Sequence, residues 1–166
     1  EIADCARVSY GLDNNGKSTD LLYYLMEHEH SSPFEMAELK VKVTCPIYVA
    51  RQWMRHRTFS YNEISLRYTK ADKDNYFMPK TLRIQSSTNK QGSEGVVDNQ
   101  DLLQAIMQDS IEQSFFRYKT LIDNGVCKEQ ARGVLPLATN TTFYCKGNLK
   151  NWLHFIKDRK STRLNS

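Results

Sequence analysis

Several familiar signatures are missing from this sequence, and each absence narrows what the chain can be. Its four cysteines, Cys5, Cys45, Cys127 and Cys145, include no Cys-x-x-Cys pair and none at zinc-finger spacing from a histidine, which argues against a structural zinc module. So sparse a set is no disulfide scaffold either, and reduced thiols in a cytoplasmic protein are the expectation. No apolar run approaches the roughly 18–20 residues that cross a bilayer, so no membrane-spanning segment is expected. Residues 1–6 lack a basic start followed by an apolar stretch, and no secretory leader is read there. The chain opens on Glu1 rather than Met, and a short natural stretch ahead of it is expected. The Gly-x-x-x-x-Gly-Lys pattern of phosphate-binding loops is missing too; the turn around Gln91-Gly92-Ser93 does not supply it. No internal repeat is evident.

What is present is ordinary globular material: 166 residues, 40% hydrophobic, 25% charged and 11% aromatic. That is enough to bury a core and corresponds to one domain. The 23 basic against 19 acidic residues leave a net charge of +4. A mild positive balance suits an anionic small molecule or a nucleic acid, and only the placement of the charge separates the two.

Apolar spacing over Asp20 to His28 predicts a short helix with Leu21, Leu22, Tyr24, Leu25 and Met26 inward. From Glu38, Leu39, Val41 and Val43 alternate with Lys40, Lys42 and Thr44, the pattern of a half-buried strand. Pro46 fits the first turn of a helix running to His56, since proline has no N–H to lose there. Lys70 to Val97 is polar and reads as a long loop. A long helix is predicted near residues 99–123, with Leu102, Leu103, Ile106, Ser110, Phe115, Tyr118, Leu121 and Ile122 at helical spacing and Asn124-Gly125 as its stop. A brief helix over Lys128 to Leu135, a strand over Thr139 to Cys145 and a last helix over Asn148 to Lys157, with Trp152, Leu153, Phe155 and Ile156 inward, complete a single α+β domain: a small sheet packed with helices.

The chemistry concentrates in Arg51 to Tyr68, where four arginines and one histidine stand with a single acid. Guanidinium groups pair bidentately with phosphate. Asn62, Glu63 and Ser65 could read the polar edge of a base, and Trp53, Phe59, Tyr61 and Tyr68 could stack on one. From the residues alone two readings stay open: a nucleotide site, or an RNA or single-stranded nucleic-acid binding module built on the Arg51–Arg67 cluster with its interleaved aromatics.

The order of residues is more specific than their charge. Arg55-His56-Arg57, seven residues and then Ser65, within an unbroken Arg-His-Arg-x-x-Ser-x-Asn-Glu-x-Ser-x-Arg-Tyr from Arg55 to Tyr68, resembles the defining motif of the flavin-dependent thymidylate synthases. Ala6 to Tyr10, His30 to Glu35, Pro46 to Trp53, Glu129 to Pro136 and Asn148 to Arg159 are similar to further elements of that family, so the resemblance covers roughly residues 4 to 160.

The resemblance implies reductive methylation of dUMP to dTMP, with FAD as cofactor and NADPH and 5,10-methylenetetrahydrofolate as co-substrates. It implies FAD contacts from His30, Ser32, Arg55, His56, Arg57, Glu63, Asn148, Lys150 and His154. Lys150 stands where many members carry arginine, and His154 where some carry asparagine. The deoxyuridylate substrate is assigned to Gln52, Arg55 and Arg132, with Glu63, Ser65, Leu66 and Arg67 from a neighbouring subunit of a homotetramer. Arg159 matches the arginine thought to polarise the pyrimidine, and is the candidate catalytic residue. After Arg159 the family pattern is lost. The expected organisation is a synthase domain over 1–160 with its C-terminal part missing, and a non-matching tail over 161–166.

Other prominent residues have plainer readings. Ser65 is read as a substrate hydrogen bond rather than a nucleophile, since no base stands at an obvious offset. Cys145 is read as a core thiol, and Trp152 and Phe155 as core. His28 and His30, two residues apart with no acid or thiol cluster, make no metal site.

Overall fold

The computed structural model describes residues 2–8, 11 and 18–164, with side chains as far as Arg159. Ser9 and Tyr10 of the N-terminal element, and Asn165 and Ser166 of the tail, lie outside the described residues.

Strand β5 (Asn140–Asn148) is the spine of the molecule. Its side chains alternate: Thr141, Phe143, Cys145 and Gly147 are buried while Tyr144 and Lys146 face out. Strands β1 (Glu38–Pro46) and β2 (Ser60–Glu63) flank it, both antiparallel, in the order β1-β5-β2. The register sets Val41 and Tyr61 against Cys145 from the two sides, and Val43 and Glu63 against Phe143. The predicted strand at 139–145 is therefore real, longer, and central.

Helix α7 (Leu149–Leu164) covers the apolar face of this sheet and runs past the predicted end at Lys157. Asn148 begins it, its side-chain oxygen accepting the Asn151 N–H at 3.0 Å. Trp152 and Phe155 join Ala50, Phe59, Phe143 and Cys145 in one core cluster. Its aromatic rings interlock: Phe59 lies 4.6 Å from Trp152, and Trp53 4.6 Å from Phe155. Ile156, predicted inward, is exposed, because only the Trp152–Phe155 stripe of α7 meets the sheet.

Pro46 is the last residue of β1, not the first turn of a helix; β1 is an edge strand, where a missing N–H costs no ladder bond. Helix α4 (Ile47–Trp53) follows directly. Its first free N–H groups are taken by the segment ahead of β5, Ile47 donating to the Thr139 carbonyl at 3.0 Å and Tyr48 to that of Leu137 at 3.4 Å. The helix ends at Trp53, so Arg55 and His56 sit in the turn that follows rather than on its last turn.

The remaining elements pack around this frame. Helices α1 (Ile2–Val8), α2 (Ser18–Glu27) and α3 (Ser32–Glu35) form an N-terminal group. On α2 only Leu25 is buried, and Tyr24 and Met26, predicted inward, are exposed. The polar stretch 70–97 is not structureless: β3 (Ile84–Gln85) and β4 (Ser93–Glu94) make a small hairpin. The Gln85 amide donates to the carbonyls of Asn89, Lys90 and Gly92 across it. Helix α5 (Gln100–Asp123) matches the predicted long helix. It buries Ile111, Phe115 and Tyr118, while Leu102, Leu103 and Ile106 are exposed, so its packed face begins only mid-helix. Helix α6 (Lys128–Ala131) passes into a 3₁₀ turn (Arg132–Val134) that stops before Pro136.

Candidate active site

The bonds that tie α4 to residues 137–139 also fix what α4 faces. Ile47, Ala50, Arg51, Met54 and Arg55 form one wall of a cavity of about 890 Å³. Arg132 and Leu135 line it as well, and Glu63, Ile64 and Leu66, at and just after the end of β2, complete this part of the lining. Three guanidinium groups, from Arg51, Arg55 and Arg132, thus share one recess with two carboxylates, Glu63 and Glu129. The Glu63 carboxylate accepts the Thr141 hydroxyl at 2.6 Å, which holds it against β5. Guanidinium groups in such a recess can hold an anion, and its carboxylates offer hydrogen-bond acceptors beside them. Glu63 and Leu66, which the motif assigns to a neighbour's substrate, here line the same cavity as Arg55 and Arg132 of their own chain.

Other motif residues lie at the margin. Arg67 is exposed and paired with Glu129 at 3.3 Å. The Ser65 hydroxyl oxygen accepts the Arg67 N–H at 3.3 Å, a local turn contact. Arg51 figures in the sequence reading only as the start of the Arg51–Arg67 cluster, not as a substrate or flavin contact; it stands on α4 four residues before Arg55, which lies in the turn after the helix, and both line the one wall. The arginines that could have made a continuous nucleic-acid stripe are divided: Arg51 and Arg55 line this recess, Arg67 is in the ion pair with Glu129, and Arg57 is exposed.

A second group sits at the C-terminal end of α4. There Arg159 of α7 donates to the Gln52 carbonyl oxygen at 3.2 Å and lies 3.3 Å from His56 Nε2. Asp158 stands 3.6 Å from the same nitrogen. A cation against the last carbonyls of a helix is favourable. Burial, with help from the Arg159 and His154 charges and against the pull of Asp158, holds the His56 ring below its ordinary pKa. Tyr61 donates its hydroxyl to the carbonyls of His56 (2.9 Å) and Trp53 (3.2 Å), and burial pushes that phenol up to about 12. Neither Gln52 nor Arg159 lines the 890 Å³ recess.

A third region lies across the N-terminal helices. His30 and Ser32 line a cavity of about 720 Å³ together with Arg7, Tyr24 and Met36. Tyr24 stacks on His28 at 4.1 Å, and His30 lies 6.2 Å from Tyr24. Among the assigned flavin residues, Lys150 is paired with Glu35 at 2.6 Å, Asn148 caps α7, and His154 is exposed. Arg57 is exposed as well, and neither it nor Arg55 has a charged partner among the described residues. The assigned residues thus fall into three places within one chain. No group of three or more His, Cys, Asp or Glu among the described residues could hold a metal ion, and no described helix is long and apolar enough to cross a membrane.

Known proteins are similar to this chain in both sequence and fold. A family described as thymidylate synthase complementing protein matches residues 1–165. The flavin-dependent thymidylate synthase of Thermus thermophilus is 45% identical over 160 residues, covering 95% of this chain and 58% of its own length. That of Thermosipho africanus is 42% identical over 158 residues, covering 93% and 69%. A crystal structure of the UMP/dUMP methylase PolB from Streptomyces cacaoi, bound with 5-Br dUMP, superposes with a TM-score of 0.81 at 32% identity, over 93% of this chain and 70% of that one. The chain belongs to the flavin-dependent thymidylate synthase family. It spans a little over half the length of the Thermus relative.

Proposed function

We propose that this chain carries the flavin and deoxyuridylate sites of a flavin-dependent thymidylate synthase, a methyltransferase that converts dUMP to dTMP. The observation that carries this reading is the recess in which Arg51, Arg55 and Arg132 meet Glu63. A nucleoside monophosphate offers a dianionic phosphate for the arginines and a polar pyrimidine edge for the carboxylate and its neighbours. Arg159 lies outside this recess in its own chain and is assigned to the pyrimidine by the family pattern: a cation beside the ring stabilises negative charge as it develops there, which favours electron density at C5.

The donor set suits FAD. Arg55 and Arg57 are exposed guanidiniums free to meet a pyrophosphate, and His30 and Ser32 open onto a cavity that holds stacked rings. Glu63, His56, Asn148, Lys150 and His154 are the further contacts the family pattern assigns. The flavin, when bound, supplies the reducing equivalents, with NADPH regenerating it and methylenetetrahydrofolate giving the carbon. The protein's own part is to bind, orient and polarise. Because the assigned residues lie in three places on one chain, we read the working unit as a homotetramer whose neighbouring subunits complete each site.

Purification followed by an absorbance scan, then titration with deoxyuridylate, tests the reading. A yellow protein with a flavin band that tightens its hold on deoxyuridylate supports it. A colourless protein that binds single-stranded RNA with steep salt dependence overturns it.

A further inference from the structure

The contact between α7 and the end of α4 has a chemical requirement. Arginine carries only donors. A guanidinium nitrogen 3.3 Å from His56 Nε2 is attractive only when that nitrogen keeps its lone pair, with the ring neutral and its proton on Nδ1. The same guanidinium nitrogen reaches the Gln52 carbonyl oxygen at 3.2 Å. The Phe155 ring braces both partners, lying 5.5 Å from the guanidinium carbon and meeting the imidazole edge-on at 4.8 Å.

We infer that His56 is a positioning residue for Arg159: its neutral ring accepts a guanidinium N–H at Nε2 and, together with the Gln52 carbonyl, sets the direction of that arginine. The inference rests on the reading above, in which Arg159 serves the pyrimidine, and adds that the motif's histidine acts through it.

The surroundings are built for a neutral ring. The His56 side chain is 16% exposed. From α7 it faces Arg159 and His154, whose charges disfavour protonation, and Asp158, which favours it. Arg55 and Arg57 flank it in the chain. From the sheet, Tyr61 approaches, but its hydroxyl binds the His56 carbonyl rather than the ring. The backbone at His56 is therefore held whatever the ring does, and the ring is left to read Arg159. Protonation would turn the acceptor into a cation beside a cation and release the arginine.

The pairing is tested by nitrogen NMR on the chain with labelled histidine and arginine, in wild type, His56→Gln, His56→Ala and Arg159→Ala. A Gln side-chain oxygen can stand in for Nε2 and does not titrate. The expected result is a His56 ring protonated on Nδ1 near neutral pH, with a pKa that rises in Arg159→Ala. The restrained Arg159 guanidinium signal should persist at about pH 7.5, vanish at about pH 5, and persist at both in His56→Gln. His56→Ala should lose it and weaken deoxyuridylate binding roughly tenfold, with His56→Gln restoring most of it. An Nε2-protonated ring bonded to Asp158, or an Arg159 signal indifferent to pH and to His56→Gln, overturns the pairing, even if His56→Ala fails to fold. Unchanged deoxyuridylate affinity in Arg159→Ala would instead overturn the substrate role of Arg159 and leave the pairing standing.

Discussion

The Phe59 ring occupies the space where a side chain on Gly147 would stand; a Cβ there would lie 2.1 Å from the ring. Gly147 is in the central strand and Phe59 in the turn between the Arg-His-Arg motif and β2, so this one contact sets the height of the motif above the sheet. Both residues are buried. Gly147→Ala should therefore destabilise the fold by about 1–3 kcal/mol through overpacking, read as a lower urea midpoint with an unchanged slope. Phe59→Ala should cost more, about 3–5 kcal/mol. Placing Phe59→Leu behind Gly147→Ala should recover part of the loss, because the smaller side chain vacates the colliding position; a strictly additive double variant would mean the two sites do not share that space.

How far the sequence foretold this arrangement depends on the range of the interactions involved. Strand β1 and helix α5 follow from periodicity, which is local, and the motif from Arg55 to Tyr68 is legible because its residue types are fixed by chemistry. Which element lies in the middle of the sheet was not legible: β5 gains its place by pairing with strands roughly 80 to 110 residues upstream. The exposure of Leu102, Ile106 and Ile156 likewise depends on what packs nearby, which helical spacing cannot supply. In the site, the grouping of Arg55 with Arg132 needed the bonds from Ile47 and Tyr48 to residues 137–139, and the tie from Arg159 to His56 joins positions 103 residues apart.

Thiol reactivity should follow burial and charge. Cys127 is exposed, while Cys145 is fully buried. Burial pushes the Cys145 thiol up, and burial with the nearby Glu63 carboxylate does the same for Cys45. At neutral pH a disulfide reagent should label Cys127 first, half-buried Cys45 more slowly, and Cys145 only as the chain unfolds. Fast labelling of Cys45 in the native chain would show that the Glu63 carboxylate does not stand against it.

Stability should also carry the mark of His56. Its pKa is lowered in the folded chain, so the unfolded chain binds the proton more readily. The stabilisation is then present above about pH 6.5, the ordinary histidine value, and is lost as pH falls from there through the lowered folded value. Comparing denaturant midpoints of wild type and His56→Gln across that window should show a slope in the former that the latter lacks. Parallel curves would mean the ring titrates normally.

Arg55 lies between the two proposed anionic ligands, so Arg55→Ala should weaken flavin and deoxyuridylate together. The loss of a charge-assisted bond is about 1.5–3 kcal/mol, or roughly ten- to a hundredfold in each Kd. Calorimetry showing both affinities unchanged would remove Arg55 from the site. If neighbouring subunits share sites, mixing Arg55→Ala with Arg67→Ala chains should restore some activity through hybrids; its absence in a demonstrably mixed oligomer would confine each site to one chain.

Arg159→Lys separates two roles that the geometry superimposes. Lysine keeps the charge near the end of α4 but loses the planar guanidinium, one nitrogen of which reaches both the Gln52 carbonyl and His56. If Arg159 acts on the pyrimidine, flavin reduction by NADPH should survive while methyl transfer falls by roughly a hundredfold or more, the scale of one preorganised electrostatic group. If it acts chiefly as a brace for α4, the turn that carries Arg55 and Arg57 loosens, and both steps fall together with the flavin affinity. The two steps are measured separately, as anaerobic bleaching of the flavin band and as thymidylate formed. A variant that retains both would place the polarising charge elsewhere, with Arg132 the next candidate because it already lines the recess.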